Sequence, residues 1–321
     1  MPIELKPTDL KLLAYLYHNA REPLTQIARE LHLSREQIDY RIKKFEQEGI
    51  IRGYIPIVNY SKFGYPRLSI LFLKFRKSSF IEEFKKLYKN DKNRILHGEI
   101  LSQYDIFSIF VFENEKERNE KIFSLLEENP EINDYIIVEP FYTELYPLKF
   151  TGQKEKISHL MVDYVRKLIK IDDKDKKILK ILNKNARAQI IDVAKQAGIS
   201  AELIVYKLKK LRDSSAWLGA RAYFDMEKLG YFYTLVFLHF NHLSNKIQEK
   251  IKLFAKNSKN IDSLAFTLGN PNCYLQFFHK DVKTLHDGLK ELKSFFKEEN
   301  IDIKILPLKN EGEDINSLPF L

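Results

Sequence analysis

The sequence repeats itself over a long period. Asp9 to Gly64 aligns without a gap on Asp175 to Gly230 at a constant offset of 166, with 17 of the 56 positions identical. Asn19-Ala20-Arg21 returns as Asn185-Ala186-Arg187, Ser34 as Ser200, Tyr40 as Tyr206, Lys43-Lys44 as Lys209-Lys210, and Gly64 as Gly230. A period this long, present twice, is too long for a solenoid. It indicates a duplicated two-part module, so whatever the module does the chain does in duplicate.

Charge adds to this. The chain carries a formal net charge of +9. Residues 151–230 hold 18 basic against 10 acidic side chains, an excess of 8, whereas residues 65–150 hold 13 against 15. A basic patch of this kind suits a polyanion; solvated Lys-rich helices would give the same count. At 321 residues there is room for several small domains with their own cores. No apolar run approaches the ~20 residues that span a bilayer, and residues 1–10 lack the pattern of a secretory signal. The single cysteine, Cys273, excludes an internal disulfide framework and a thiolate zinc site. These features lead us to expect a cytoplasmic protein without a cofactor or a membrane partner.

The first part of each repeat reads as three helices. Thr8 can cap a helix over Asp9 to Asn19, with Leu12, Leu13 and Leu16 on one stripe. Pro23 opens a second helix over Leu24 to Leu31. Ser34 caps a third that runs to Glu48, and Gln37 three residues later completes a capping box. Gly49 fits the left-handed residue after a helix, and Ile50 to Ile55 reads as a short wing. The second part of each repeat reads β-α-β-β-α-β, a ferredoxin-like order. In the first copy the last strand spans Tyr135 to Leu145. Ile157, Leu160, Met161, Tyr164, Val165 and Leu168 recur at helical spacing and predict an amphipathic linker helix. The tail from Asn310 is polar and reads as loose.

The expected fold class is therefore α+β, two winged helix-turn-helix domains alternating with two ferredoxin-like βαββαβ domains. The boundaries are 1–64, 65–150, a linker over 151–174, a degenerate helix-turn-helix over 175–230, and 231–321. A helix-turn-helix lays its third helix in the DNA major groove, its N-terminal half reading base edges. Behind the Ser34 cap, Arg35, Gln37, Tyr40, Arg41 and Lys44 supply donors, one amide suited to adenine, and cations for phosphate. In the second copy Tyr206, Lys207 and Lys210 remain basic or polar. Ala201, Leu203 and Val205 stand where the first copy has Arg35, Gln37 and Asp39, and Ser215-Ala216-Trp217 replaces the Gly-Ile-Ile wing. That pattern predicts a second helix converted in part to docking.

The motif Asp9-x-x-Leu12-Leu13, Asn19-Ala20-Arg21, Ile27-Ala28, Leu33-Ser34, Gly49-Ile50-Ile51-x-Gly53-Tyr54 and Lys62-Phe63-Gly64 resembles the Lrp/AsnC transcription regulators, over nearly the whole chain. The resemblance implies a DNA-binding domain followed by an effector-sensing, dimerising α+β domain, with double-stranded DNA as partner, an amino acid or other small effector, and dimers or higher homo-oligomers. It also implies that the two fused copies form a pseudo-dimer. The family's Gly-x-Tyr-Asp effector loop is split between the copies. Ser102-Gln103-Tyr104-Asp105 keeps Tyr104 and Asp105, and Gly269-Asn270-Pro271-Asn272 keeps the glycine, leaving Ser102, Tyr104, Asp105, Gly269 and Asn272 as effector candidates. Two other readings stand beside the regulator: an enzyme resembling the siroheme decarboxylases, which share the fold, and a non-catalytic docking protein. His239-x-x-His242 is a poor metal pair, because residues three apart on a strand face opposite ways.

Overall fold

The computed structural model describes residues 5–149, the backbone of 160–163, and residues 168–310 and 312–321. The first copy opens with α1 (Pro7–Asn19), α2 (Leu24–Leu31), α3 (Arg35–Gln47) and β1 (Ile51–Val58). It continues with β2 (Arg67–Phe75), α4 (Ser79–Leu87), β3 (Arg94–Glu99), β4 (Ile106–Phe112), α5 (Glu115–Glu128) and β5 (Ile132–Val138). β6 (Pro140–Leu145) and β7 (Leu160–Asp163) follow. The second copy repeats the order with α6 (Asp173–Lys184), α7 (Ile190–Ala197), α8 (Ala201–Asp213) and β8 (Trp217–Phe224), then β9 (Phe232–Phe240), α9 (Asn245–Asn257), β10 (Ile261–Thr267), β11 (Cys273–His279), α10 (Val282–Phe295) and β12 (Ile301–Pro307). The fold is α+β, as the sequence predicts.

The helix boundaries follow the caps with one exception. α1 begins two residues early: Lys6 is its N-cap, Pro7 takes the first helical position, and Asp9 accepts from the Lys6 amide at 2.9 Å. Thr8 therefore lies inside the helix rather than capping it. Proline at the first position lacks an N–H that would be unpaired there anyway.

The expected wing is something else. β1 pairs antiparallel with β8, centred on Ile55 opposite Arg221, two positions that differ by the repeat offset (221 − 55 = 166). An approximate two-fold axis therefore passes through this ribbon. Trp217, on the segment that lacks the Gly-Ile-Ile pattern, is buried and β8 is as long as β1. Two edge strands that would each expose unpaired backbone cover one another instead.

Below the ribbon, two antiparallel sheets run β3-β4-β2-β5 and β12-β9-β11-β10, the same order in each copy. Their inner faces meet: Phe72 on β2 contacts Phe237 on β9 edge-to-face at 5.0 Å. On the outer faces, α4 and α5 cover the first sheet through Phe84, Ile122 and Leu125, and α9 and α10 cover the second through Ile251, Phe254 and Leu292.

Three expectations are corrected. The single strand over Tyr135 to Leu145 is two. It breaks at Glu139, before Pro140, and β6 leaves its own sheet to pair with β10 of the other. Proline lacks the N–H a ladder needs, so it suits the first residue of a new strand. The linker helix is replaced at Leu160–Asp163 by a strand that pairs with β6, whose outer edge was open. Ile157, Tyr164 and Val165 lie outside the described residues, and Leu168 is exposed. The tail, finally, is docked. Asn316 donates to the Ile95 carbonyl (2.7 Å), Leu318 is buried, and Phe320 stacks on Tyr65 at 4.1 Å. Its backbone mirrors β6: residue 313 bridges His97 of β3 and residue 308 bridges Ile100 just past it, as β6 pairs with β10.

Burial lowers the pKa of three buried histidines, His18, His97 and His279, the first two furthest. His18 stacks on Tyr17, and burial, then Arg221, hold it down at about 3. His97 meets Ser108 Oγ at 2.6 Å, and burial, then Arg94 and Lys85, hold it at about 3. Below pH ~6.5 the unfolded chain therefore binds more protons than the folded one. Stability should be complete above pH ~6.5 and fall as pH drops from there toward 3, by up to ~1.4 kcal/mol per pH unit for each histidine. Urea melts at pH 7, 6 and 5 check this, and His18→Phe should remove roughly a third to a half of the acid slope, leaving the shares of His97 and His279.

Candidate nucleic-acid interface

Helix α2 ends at His32, whose left-handed backbone (φ 54°) turns the chain into α3. Ser34 Oγ accepts from the Gln37 amide (3.1 Å), and Gln37 Oε1 accepts from the Ser34 amide (3.0 Å). The capping box thus forms, and it occupies the Gln37 carbonyl that an adenine contact would also use. Ile38, Ile42 and Phe45 bury the inner face of α3. Outward stand Ser34, Arg35, Gln37, Lys43 and Lys44, with Tyr40 68% exposed. Lys43 pairs with Asp39 at 2.6 Å, and Lys44 approaches Glu48 at 3.8 Å. Such exposed pairs contribute little, so both cations remain available to an anion. Lys43 and its counterpart Lys209 are not among the sequence candidates; the repeated lysine doublets were the signal.

Two candidates point the other way. Arg41 pairs with Asp9 of α1, and that carboxylate also caps the helix. In the second copy Lys207, 166 residues later and 7% exposed, donates to Asp172 (2.7 Å) and Asp175 (3.0 Å) at the start of α6. These cations fasten the third helix of each module to its first. A buried carboxylate needs its partner, which accounts for a position read on the sequence as phosphate-facing lying inside.

On α8, Ser200 Oγ accepts from the Leu203 amide at 3.3 Å. Tyr206, Val205, Lys209 and Lys210 are exposed, and Leu203 is half-buried. Val205 is exposed, and among the described residues none makes its expected docking contact.

The effector candidates do not converge. Tyr104 is buried against Phe72. Asp105 accepts from the Phe75 amide and from Lys74 Nζ, both at 2.7 Å. Ser102 is exposed. In the other sheet Gly269 has φ 89°, and Asn272 clamps Phe240 through both its amide (3.1 Å) and carbonyl (2.8 Å). The first turn lies against the end of β12 and the second against the end of β5. Asp105 and Asn272 therefore close strand ends in separate sheets, as hydrogen bonds to backbone ends commonly do.

A cavity of about 250 Å³ lies beneath the ribbon between the sheets. Its walls are mostly aliphatic, from Ile55, Ile57, Ile70, Leu96 and Leu235, with Arg221, Tyr17 and Asp262 on one side. Arg221 donates to the Tyr17 hydroxyl (2.8 Å), which donates to Asp262 (2.9 Å). Among the described residues no group of three or more His, Cys, Asp or Glu is placed to hold a metal. Cys273 is fully buried, and burial raises its thiol well above the usual value. No helix of the described residues is long and apolar enough to cross a membrane.

Comparison with known proteins agrees with this geometry. A winged helix-turn-helix DNA-binding model matches residues 5–52, and an AsnC-type helix-turn-helix model matches residues 171–212. An uncharacterized HTH-type transcriptional regulator of Pyrococcus furiosus is 30% identical over 124 residues, which are 39% of this chain and 83% of that protein. The regulatory protein AsnC of Haemophilus influenzae is 30% identical over 119 residues, 37% of this chain and 79% of that one. The chain belongs to the Lrp/AsnC family. It contains two helix-turn-helix domains, the second of them matching the AsnC type, and each such relative matches a little over a third of it. Across its whole length this Lrp/AsnC protein shares its fold with the siroheme decarboxylase NirDL, at a TM-score of 0.60 and 16% identity, covering 98% of this chain and 96% of that one.

The inward cations are expected to serve stability. Lys207→Ala leaves Asp175 buried without its partner and should cost about 3–5 kcal/mol in urea unfolding. Lys210→Ala, on the exposed face, should stay within about 0.5 kcal/mol of the parent.

Proposed function

We propose that the chain is a sequence-reading DNA-binding transcription regulator in which one polypeptide supplies both halves of a dimer. The observation that carries this reading is the outward face of α3: Arg35, Gln37, Tyr40, Lys43 and Lys44 project beyond a capped helix. The family supplies the context, since its relatives are transcriptional regulators. Lysines at 43 and 44 suit phosphate, and Arg35 with the Gln37 amide nitrogen suits base edges. α8 keeps Lys209, Lys210 and Tyr206, but Leu203 and Val205 replace the polar readers, so its part is non-specific attraction. The pseudo-dimer reading is supported by the β1–β8 ribbon and by the face-to-face sheets. The cavity offers a place for a small metabolite, and two copies of the chain can associate further through the outer strands β5 and β12.

The decarboxylase reading has the whole-chain fold likeness behind it, at an identity too low to carry chemistry. The cavity argues against it. A polycarboxylate macrocycle needs several cations and more room than about 250 Å³, and Arg221 is the single cation among the described lining residues. No histidine stands among those residues to meet an iron.

Gel-shift titration with random and selected duplexes at two or more salt concentrations tests the proposal. Lys44→Ala should weaken binding to all sequences and lower the salt slope by about one. Arg35→Ala should relax preference at one position, worth about 1–3 kcal/mol there. Unchanged binding in both variants, or a siroheme titration that saturates at one equivalent with a shifted absorbance band, would overturn the reading.

A further inference from the structure

The two Asn-Ala-Arg segments reach out of their own modules. Arg21 donates from Nη1 to the carbonyls of Ala186 (2.6 Å) and Ala188 (2.9 Å). Arg187, its counterpart, donates back to the carbonyl of Ala20. The backbone repeats the exchange: the Ala20 amide donates to the Ala220 carbonyl and the Ala186 amide to the Tyr54 carbonyl, each at 2.9 Å. These contacts obey the two-fold relation of the duplication, and they join the end of α1 in one copy to the end of α6 in the other.

The symmetry breaks one residue further out. Tyr54 and Ala220 are equivalent positions (220 − 54 = 166). The Arg187 guanidinium lies over the Tyr54 ring, 5.5 Å from its centre. The Tyr54 hydroxyl donates to Glu46, near the end of α3, at 2.6 Å. Burial, then the bond to Glu46, raises the Tyr54 hydroxyl far above its ordinary value, so it remains a donor. A neutral donor meeting a carboxylate is among the stronger hydrogen bonds. On the other side Ala220 offers no ring, and Arg212 occupies the place of Glu46. Burial, then Arg187 and Arg212, push Arg21 down to about 10. The path Arg187–Tyr54–Glu46 thus ties α3 to the opposite module, and the matching path to α8 is replaced by like charges.

We infer that Arg187 is a positioning residue for α3, and that the second module braces the helix that reads DNA in the first. This inference rests on the reading of α3 as the DNA-facing helix. Arg187 meets the chain near the far end of α3 from Ser34, so it is placed to set the angle of the helix rather than to touch a base. Attraction to phosphate is tolerant of small shifts, whereas a base-edge hydrogen bond is lost within a few tenths of an ångström and tens of degrees. Loss of the brace therefore weakens selective binding and spares the non-selective part.

The test uses the full chain, the duplex it enriches most from a random-sequence pool, and a random duplex of equal length. Arg187→Ala, and Tyr54→Phe as a milder cut, should each weaken the enriched duplex about tenfold. Random-duplex affinity and the salt slope should not change. The amides of the second half of α3 should exchange with deuterium faster than in the parent, with no DNA present. A salt slope lowered by about one in Arg187→Ala would make it a phosphate contact and overturn the inference. Unchanged exchange in α3 with unchanged affinity in both variants would overturn it as well. If the parent enriches no duplex, the DNA reading fails by itself. Deuterium exchange then decides the brace alone: faster exchange in α3 supports it and unchanged exchange ends it.

Discussion

The antiparallel pairing of β1 with β8 is the interaction on which the rest of the molecule depends. It places Ile55 opposite Arg221 on an approximate two-fold axis, and all other relations between the copies follow from that register. A shift of one residue would turn every side chain of the ribbon to its other face. Tyr54, Val58, Trp217, Ala220, Ala222 and Phe224 would then leave the core they now share. The helix-turn-helix units hang from the outer side of this ribbon and the sheets from its inner side, so one register sets the spacing of both pairs.

Two exchanges of chain reinforce it. β6 leaves the first copy to extend the second sheet beyond β10, and Leu308 and Glu313 of the second copy bridge to Ile100 and His97 of the first. Each sheet edge next to the partner is thereby covered by the other copy's chain, which satisfies backbone that would otherwise be unpaired. In a tethered pair these exchanges are intramolecular and form at a high effective concentration. The copies have diverged within that frame. Ile55 faces Arg221, the bulged residue Ile95 of β3 has Asp262 of β10 as its counterpart, and the Glu46 position becomes Arg212. Polar groups have accumulated on one wall of the cavity and cationic readers on one recognition helix.

Much of this was legible in the sequence because its determinants are local. The Ser34 capping box, the apolar stripe of α3 and the βαββαβ order are set by neighbours a few residues apart, and they stand where the spacing places them. What could not be read depends on distant partners. Ile50 to Ile55 reads as a wing because its partner strand lies some 166 residues away, on a segment that lacks the same letters. Pro140 is visible, but that the chain beyond it joins another sheet is not. Arg41 has the composition of a phosphate ligand and the position of a staple, and Asp9, which decides between them, lies 32 residues back. The tail is polar in sequence, yet Leu318 and Phe320 find a groove made by elements from both copies.

The central claim is that one chain does the work of a dimer on DNA. Native mass spectrometry of the full chain with the duplex it enriches tests this most directly. The account predicts a complex of one 38.1 kDa chain per duplex at limiting protein, with any second chain adding only at higher concentration. Complexes that always contain two chains, with none at one, would contradict it.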